Sequence, residues 1–278
     1  MPIHPTLQQV PTRLGRVQLR LAGRGPALVC WPSLLMDGRL WQAQAEHFAG
    51  RYRMLMIDPP GHGGSERLRG SFTMDDCAGA LADVLDALAL PDCALLGNSW
   101  GGMMGGVFAA LYPQRLRAAV LMNCTAAAVG WRQRLEFLLL AAVVRRCRRV
   151  PEPLVQRAVQ AFAGASTERD KPAVVAQIRA AVATSDPASV HWAIRSVVPK
   201  RVDQHARLAQ VRAPVLVVAG AEDRTFPVAE TRRMAEAIPG ARFEVLPGIG
   251  HLAALEAPEP VNALVERFLR DADPVFGD

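Results

Sequence analysis

A chain of 278 residues, half of them hydrophobic, is long enough to bury a large core without disulfides or a structural metal. Its five cysteines (Cys30, Cys77, Cys93, Cys124 and Cys147) lie far apart and form no CxxC or Cys/His pattern, which argues against a disulfide framework or a zinc module. The net charge of +6 comes mainly from arginine, with no aromatic residues interleaved as a binding motif, so nucleic acid is not an expected partner.

In chain order, the opening MPIHPTLQQVPTRLG lacks the basic start and long apolar stretch of a signal peptide. The apolar run 137–144 is closed by Arg145 and Arg146, far short of the roughly 20 residues that cross a bilayer. A soluble, cytoplasmic protein with no membrane partner is expected; oligomeric state is not legible. Residues 17–21 alternate polar and apolar, as a strand with one buried face does. The continuous apolar runs 27–31, 54–57, 93–96, 118–122 and 215–219 suit strands buried on both faces of a parallel sheet. Between them, Met74, Cys77, Leu81, Val84, Leu85 and Leu88 line one face of a helix, as Val261, Leu264, Val265, Phe268 and Leu269 do near the far end. Alternating β and α elements predict an α/β fold with a doubly wound, mostly parallel sheet. The alternation breaks between about Thr125 and Asp203, where helical pieces are separated by prolines and polar turns. The chain therefore divides into a core domain, 1–124 with 204–278, and an inserted helical cap or lid, 125–203.

Gly97-Asn98-Ser99-Trp100-Gly101 places a serine between two glycines where a buried strand meets a helix, the arrangement of a G-x-S-x-G nucleophile elbow. The sharp turn lifts the serine hydroxyl above the sheet, and side chains at either glycine would collide with backbone. The helix that follows aims N–H groups, beginning with that of Trp100, at charge developing on a substrate oxygen. A serine hydroxyl needs a base, and the base needs something to orient it. Asp223 follows the strand 215–219, and His251 follows the strand 243–246 in a glycine loop, so both leave the sheet on the same edge as Ser99. A carboxylate there accepts the Nδ1 proton of His251, leaving Nε2 to take the proton of Ser99. Glu222 is the nearest rival to Asp223; Asn123 and Cys124, at the end of the preceding strand, cannot serve as the acid. His62, in Asp58-Pro59-Pro60-Gly61-His62-Gly63-Gly64-Ser65, reads as part of a structural connection, since the loop lacks the Lys-Ser/Thr ending of a P-loop.

These pieces, together with Pro214 to Asp223 and Gly250-His251, resemble the α/β-hydrolase superfamily from about Val17 to Leu269. The stretch from His251 to Glu259, with Asn262 and Phe268 beyond, is similar to the tail of the 3-oxoadipate enol-lactonases and related small esterases. The resemblance implies a serine hydrolase that needs no metal or organic cofactor. The family usually carries His-Gly after the strand 27–31, whereas this chain reads Trp31-Pro32-Ser33-Leu34. Leu34 then takes the oxyanion-donor position beside Trp100, and the Ser33 hydroxyl is available as a further donor. The implied substrate is a small-molecule ester or lactone, with Ser33, Trp131, His191 and Trp192 as candidate pocket residues and Arg132, Arg134 or Arg195 as candidates to meet a carboxylate. Carbon–carbon bond hydrolysis of a diketone, suggested by Asn98 before the serine, and ligand binding without turnover are the alternatives.

Overall fold

The computed structural model describes residues 3–272. Eight strands form one sheet: β1 (Thr6–Thr12), β2 (Gly15–Ala22), β3 (Ala27–Trp31), β4 (Arg53–Asp58), β5 (Cys93–Asn98), β6 (Leu116–Met122), β7 (Val215–Gly220) and β8 (Arg242–Leu246). Their spatial order is β1-β2-β4-β3-β5-β6-β7-β8. β1 pairs antiparallel with β2 and β2 antiparallel with β4, and every later pairing is parallel. The predicted strands therefore form, and the mostly parallel sheet with them. β1 is an addition to the sequence reading. It is an edge strand on which only Val10 is buried, and it contains Pro11, so neither periodicity nor propensity marks it.

The period of two divides each inner strand between two cores. Val29 and Trp31 of β3, with Leu55 and Ile57 of β4, face one apolar layer, while Leu28, Cys30, Met54 and Met56 face the other. On the first side pack α2 (Met74–Ala87) and α3 (Trp100–Leu111); on the second lie α1 (Gln42–Phe48) and the C-terminal helix Pro258–Ala272. Between β6 and β7 the segment expected to be helical contains α4 (Trp131–Arg145), α5 (Glu152–Phe162), α6 (Ala165–Asp170), α7 (Pro172–Ala183) and α8 (Pro187–Val197), with no strand.

The direction of winding reverses between β3 and β5, because β4 lies on one side of β3 and β5 on the other. In an open parallel sheet the crevice beyond the carboxyl ends at such a reversal is where ligands bind. Ser33 to Leu35 leave the end of β3 there, and Ser99 leaves the end of β5. Asn123, Asp223 and His251 follow β6, β7 and β8 on the same edge.

Candidate active site

Ser99 sits at φ 55°, ψ −108°, between the last residue of β5 and the first of α3. Non-glycine residues in that region carry strain of order 1–3 kcal/mol, and here the turn is held by the Ser99 N–H bonded to the Met122 carbonyl at 2.8 Å. The flanking glycines are sterically required. A Cβ on Gly97 would lie 2.3 Å from the Gly101 carbonyl oxygen, and one on Gly101 would lie 2.0 Å from that of Trp31.

Asp223 and His251 are both buried and in contact: His251 Nδ1 lies 2.9 Å from Asp223 Oδ2 and 3.1 Å from Oδ1. Burial raises the Asp223 pKa, but the charge and hydrogen bond of His251, with the N–H groups of Phe226 and Thr225, outweigh it and hold the carboxyl below its ordinary value. Those two N–H groups donate to Oδ1 at 3.0 and 2.8 Å. His251 Nε2 is buried and has no hydrogen-bond partner among the described residues, so the bond to Ser99 is not formed, although both side chains line one cavity. Catalytic hydrogen bonds are often long in the absence of substrate. The imidazole is wedged between Phe162, stacked at 5.4 Å, and Phe226 at 5.6 Å. The backbone N–H of His251 donates to the Phe162 carbonyl at 2.9 Å, which ties the loop after β8 to the end of α5.

Three supports escaped the sequence reading. Asn123 donates through Nδ2 to Asp223 Oδ2 at 3.1 Å and to the Gly250 carbonyl at 2.9 Å, bridging the loops that carry Asp223 and His251. Asn98, the residue before the serine, donates to the carbonyl of His251 at 2.9 Å, a structural reason for an asparagine there. Buried Glu256 accepts the N–H groups of Gly250, Gly164 and Leu252 at 2.9–3.0 Å, so one carboxylate brackets His251 and reaches residue 164 between α5 and α6. Hydrogen bonds to an ionised group contribute about 1.5–3 kcal/mol each. Glu256→Gln, which offers one acceptor oxygen and turns an NH2 toward a donor, is expected to cost about 2–4 kcal/mol of stability in a denaturant titration; an unchanged midpoint would contradict this account. Glu222, the rival acid, is turned away from His251 and accepts the N–H and Oγ–H of Ser166 at 2.7 Å.

The side of the site expected to receive an oxyanion is formed by the loop after β3. The Gly101 N–H donates to the Pro32 carbonyl at 3.3 Å, joining that loop to the elbow. As the first residue of α3, Trp100 has an N–H with no intrahelical acceptor. Leu34 lines the cavity with Ser33, whose buried Oγ has no partner among the described residues. Leu35 adopts φ 67°, and its N–H donates to His62 Nε2 at 3.1 Å, while His62 Nδ1 lies 3.0 Å from the Pro60 carbonyl. Nδ1 therefore carries the ring proton. Burial pulls the His62 pKa down, which favours the neutral ring this double bond requires. The ring also rests against Trp100 at 5.5 Å. His62 is thus structural, as its loop suggested, and the structure it holds is the backbone just after Leu34.

The cavity above Ser99 has a volume of about 170 Å³, the scale of a void that takes one small ring. From the helical segment it is lined by Phe137, Leu140, Val144, Ile194 and Arg201. Trp131 and Trp192 are not among its walls, which corrects the expectation for both. Trp131 is 69% exposed on the outer side of α4, and the guanidinium groups of Arg145 and Arg195 each lie 5.9 Å from the Trp192 ring. His191 is packed inside the segment with Nδ1 on the Ala141 carbonyl at 2.8 Å, and Arg132 and Arg134 are exposed. Arg201 was not anticipated. Its Nε donates to the Ala127 carbonyl at 2.9 Å, its guanidinium lies 5.4 Å from the Phe226 ring, and no carboxylate pairs with it among the described residues. Burial lowers its pKa, opposed by the distant charge of Glu230.

Residues 26–258 match a family model described as alpha/beta hydrolase fold. The chain is 26% identical over 249 residues to 3-oxoadipate enol-lactonase 2 of Acinetobacter baylyi, covering 88% of this chain and 89% of the relative. It is 27% identical over 264 residues to a 2-hydroxy-6-oxononadienedioate/2-hydroxy-6-oxononatrienedioate hydrolase of Burkholderia vietnamiensis, covering 90% and 85%. A thermophilic esterase from Thermogutta terrifontis, solved with malate bound, superimposes with a TM-score of 0.89 at 28% identity, covering 96% of this chain and 99% of that one.

Proposed function

The chain belongs to the alpha/beta hydrolase fold family and is a hydrolase, and from that premise we propose that it is a serine hydrolase cleaving a small carboxylic ester or lactone through an acyl-enzyme. The observation that carries this reading is the Asp223–His251 pair facing, across one cavity, a serine held in a strained strand-to-helix turn. Ser99 Oγ attacks the carbonyl carbon as His251 Nε2 takes its proton, and the N–H groups of Leu34 and Trp100 receive the oxyanion. The imidazolium then protonates the departing alkoxide. Water, deprotonated by the same nitrogen, releases the acid and restores Ser99. Asp223, ionised and fixed by four donors, holds the proton on Nδ1 throughout.

The experiment is hydrolysis of short p-nitrophenyl esters, lactones and diketones by the purified protein. Ester or lactone turnover that Ser99→Ala removes supports the reading; diketone cleavage without either would replace it with carbon–carbon bond hydrolysis.

Within this reading the cavity favours an apolar acyl group, and Arg201 supplies a cation to one that also bears a carboxylate. A charge-assisted bond lost from a desolvated site costs about 1.5–3 kcal/mol. Arg201→Met is accordingly expected to lower kcat/KM for a hemiester of a short dicarboxylic acid by about ten- to a hundredfold, and for the matching neutral ester by less than about threefold. Equal losses on both substrates would assign Arg201 to packing.

A further inference from the structure

The helix that lines the cavity is apolar on its outer side as well. Phe137, Leu140 and Val144 face inward, whereas Trp131, Leu135, Leu139 and Val143 recur every fourth residue along the opposite side and are 69%, 54%, 69% and 54% exposed. Among the described residues the other exposed large apolar side chains, Leu7, Leu111, Val202 and Val245, are scattered singly over other parts of the chain, the normal condition of a protein surface. A continuous stripe on one helix is not that condition.

The charges beside the stripe are predominantly positive. Arg132, Arg134, Arg145, Arg146, Arg148 and Arg149 lie on α4 or just beyond its end, and among the described residues none of them pairs with a carboxylate. Arginines elsewhere on the surface commonly do pair, as Arg13 does with Asp83, Arg115 with Asp86 and Arg242 with Asp271. The one acid of α4, Glu136, is taken up by Arg157 of α5. Arg195 of α8 adds a further cation, 5.9 Å from the Trp192 ring. Arg132 lies 5.2 Å over the Trp131 ring, so an aromatic and a guanidinium occupy one level at the start of the stripe.

We propose that the outer face of α4 docks on an anionic lipid surface, with Trp131, Leu135, Leu139 and Val143 entering the headgroup boundary and the flanking arginines meeting lipid phosphates. An amphipathic helix lying in the interface has this composition: tryptophan and leucine on one side, arginine at the rim. Among the described residues no helix is long and apolar enough to cross a membrane. Charge decides between lipid and a second copy of the chain. A two-fold contact through this face would bring the arginines of both copies together without an available carboxylate, whereas an anionic surface attracts each of them. The inference rests on α4 and its flanks, and it stands whatever bond the site cleaves.

The test is co-sedimentation of the full chain with vesicles of equimolar phosphatidylcholine and phosphatidylglycerol, and with phosphatidylcholine alone. Binding to the mixed vesicles, weakened by added salt and absent from the neutral ones, is expected. Two variants, Leu135→Glu/Leu139→Glu and Arg146→Gln/Arg148→Gln/Arg149→Gln, are each expected to reduce partitioning by about tenfold or more, with circular dichroism and thermal midpoint unchanged. Equal binding to both vesicle types, or wild-type binding that neither variant weakens, overturns the proposal. So does a concentration-dependent dimer that Leu135→Glu/Leu139→Glu dissolves while vesicles bind nothing, which would make a second copy the occupant.

Discussion

Replacement of Ser99 by alanine is expected to lower kcat for a short p-nitrophenyl ester by roughly 10⁴- to 10⁶-fold, because removing the nucleophile leaves only oxyanion stabilisation and binding. The fold should hardly register the change. The Ser99 hydroxyl makes no hydrogen bond among the described residues, and alanine inherits the same backbone strain at φ 55°. Ser99→Gly separates the two contributions further: it is equally inactive, and it relieves a conformation that glycine tolerates, so its thermal midpoint should equal or exceed that of the wild type. Steady-state rates and melting curves of the three proteins check both halves. A Ser99→Ala protein that turns over esters at the wild-type rate would remove Ser99 from the chemistry.

Asp223→Asn is expected to cost about 10⁴-fold in kcat with the architecture intact. The asparagine NH2 turned toward His251 makes Nδ1 an acceptor, which moves the ring proton to Nε2, where it blocks transfer from Ser99. Stability carries a pH signature as well. The folded-state pKa of Asp223 lies below its ordinary 3.8. Its contribution is therefore fully present above that value and is lost as pH falls through the depressed one. The wild type should be the more stable protein at neutral pH, and its advantage over Asp223→Asn should shrink as pH is lowered below about 4. Melting midpoints of both proteins between neutral and strongly acidic pH measure this, and an advantage independent of pH would contradict the assignment.

How much of this was legible beforehand follows from what a sequence pattern records. The inner strands were readable because both faces of a parallel sheet are buried, so each is a continuous apolar run; β1, buried only at Val10, leaves no such trace. Ser99, Asp223 and His251 could be nominated because each lies within five residues of the carboxyl end of a strand, and in a parallel sheet that alone sends them to one edge. The cavity walls could not be chosen by residue type. Trp131 and Trp192 stood out as aromatics, but which side of a helix faces inward is set by rotation about its axis, and that rotation puts Phe137, Leu140 and Val144 inside. Asn123, Glu256 and His62 act on backbone N–H and C=O groups of other loops, contacts that no side-chain spacing encodes. Asn123 was passed over because it cannot be the acid; its position at the end of β6, beside β7, was the available signal that it could hold one.

The bond from the His251 N–H to the Phe162 carbonyl, and the Glu256 carboxylate shared by Gly250 and Gly164, bear on how the molecule can be rebuilt. They make the helical segment and the base one mechanical piece at the α5 end. The segment cannot be exchanged for that of a relative as an interchangeable specificity cassette unless the graft reproduces the backbone path through residues 162–164. Crossover points for chimaeras belong on the side of α4 and α8, where the segment supplies cavity walls without gripping the imidazole, and α5 should travel with its own histidine loop.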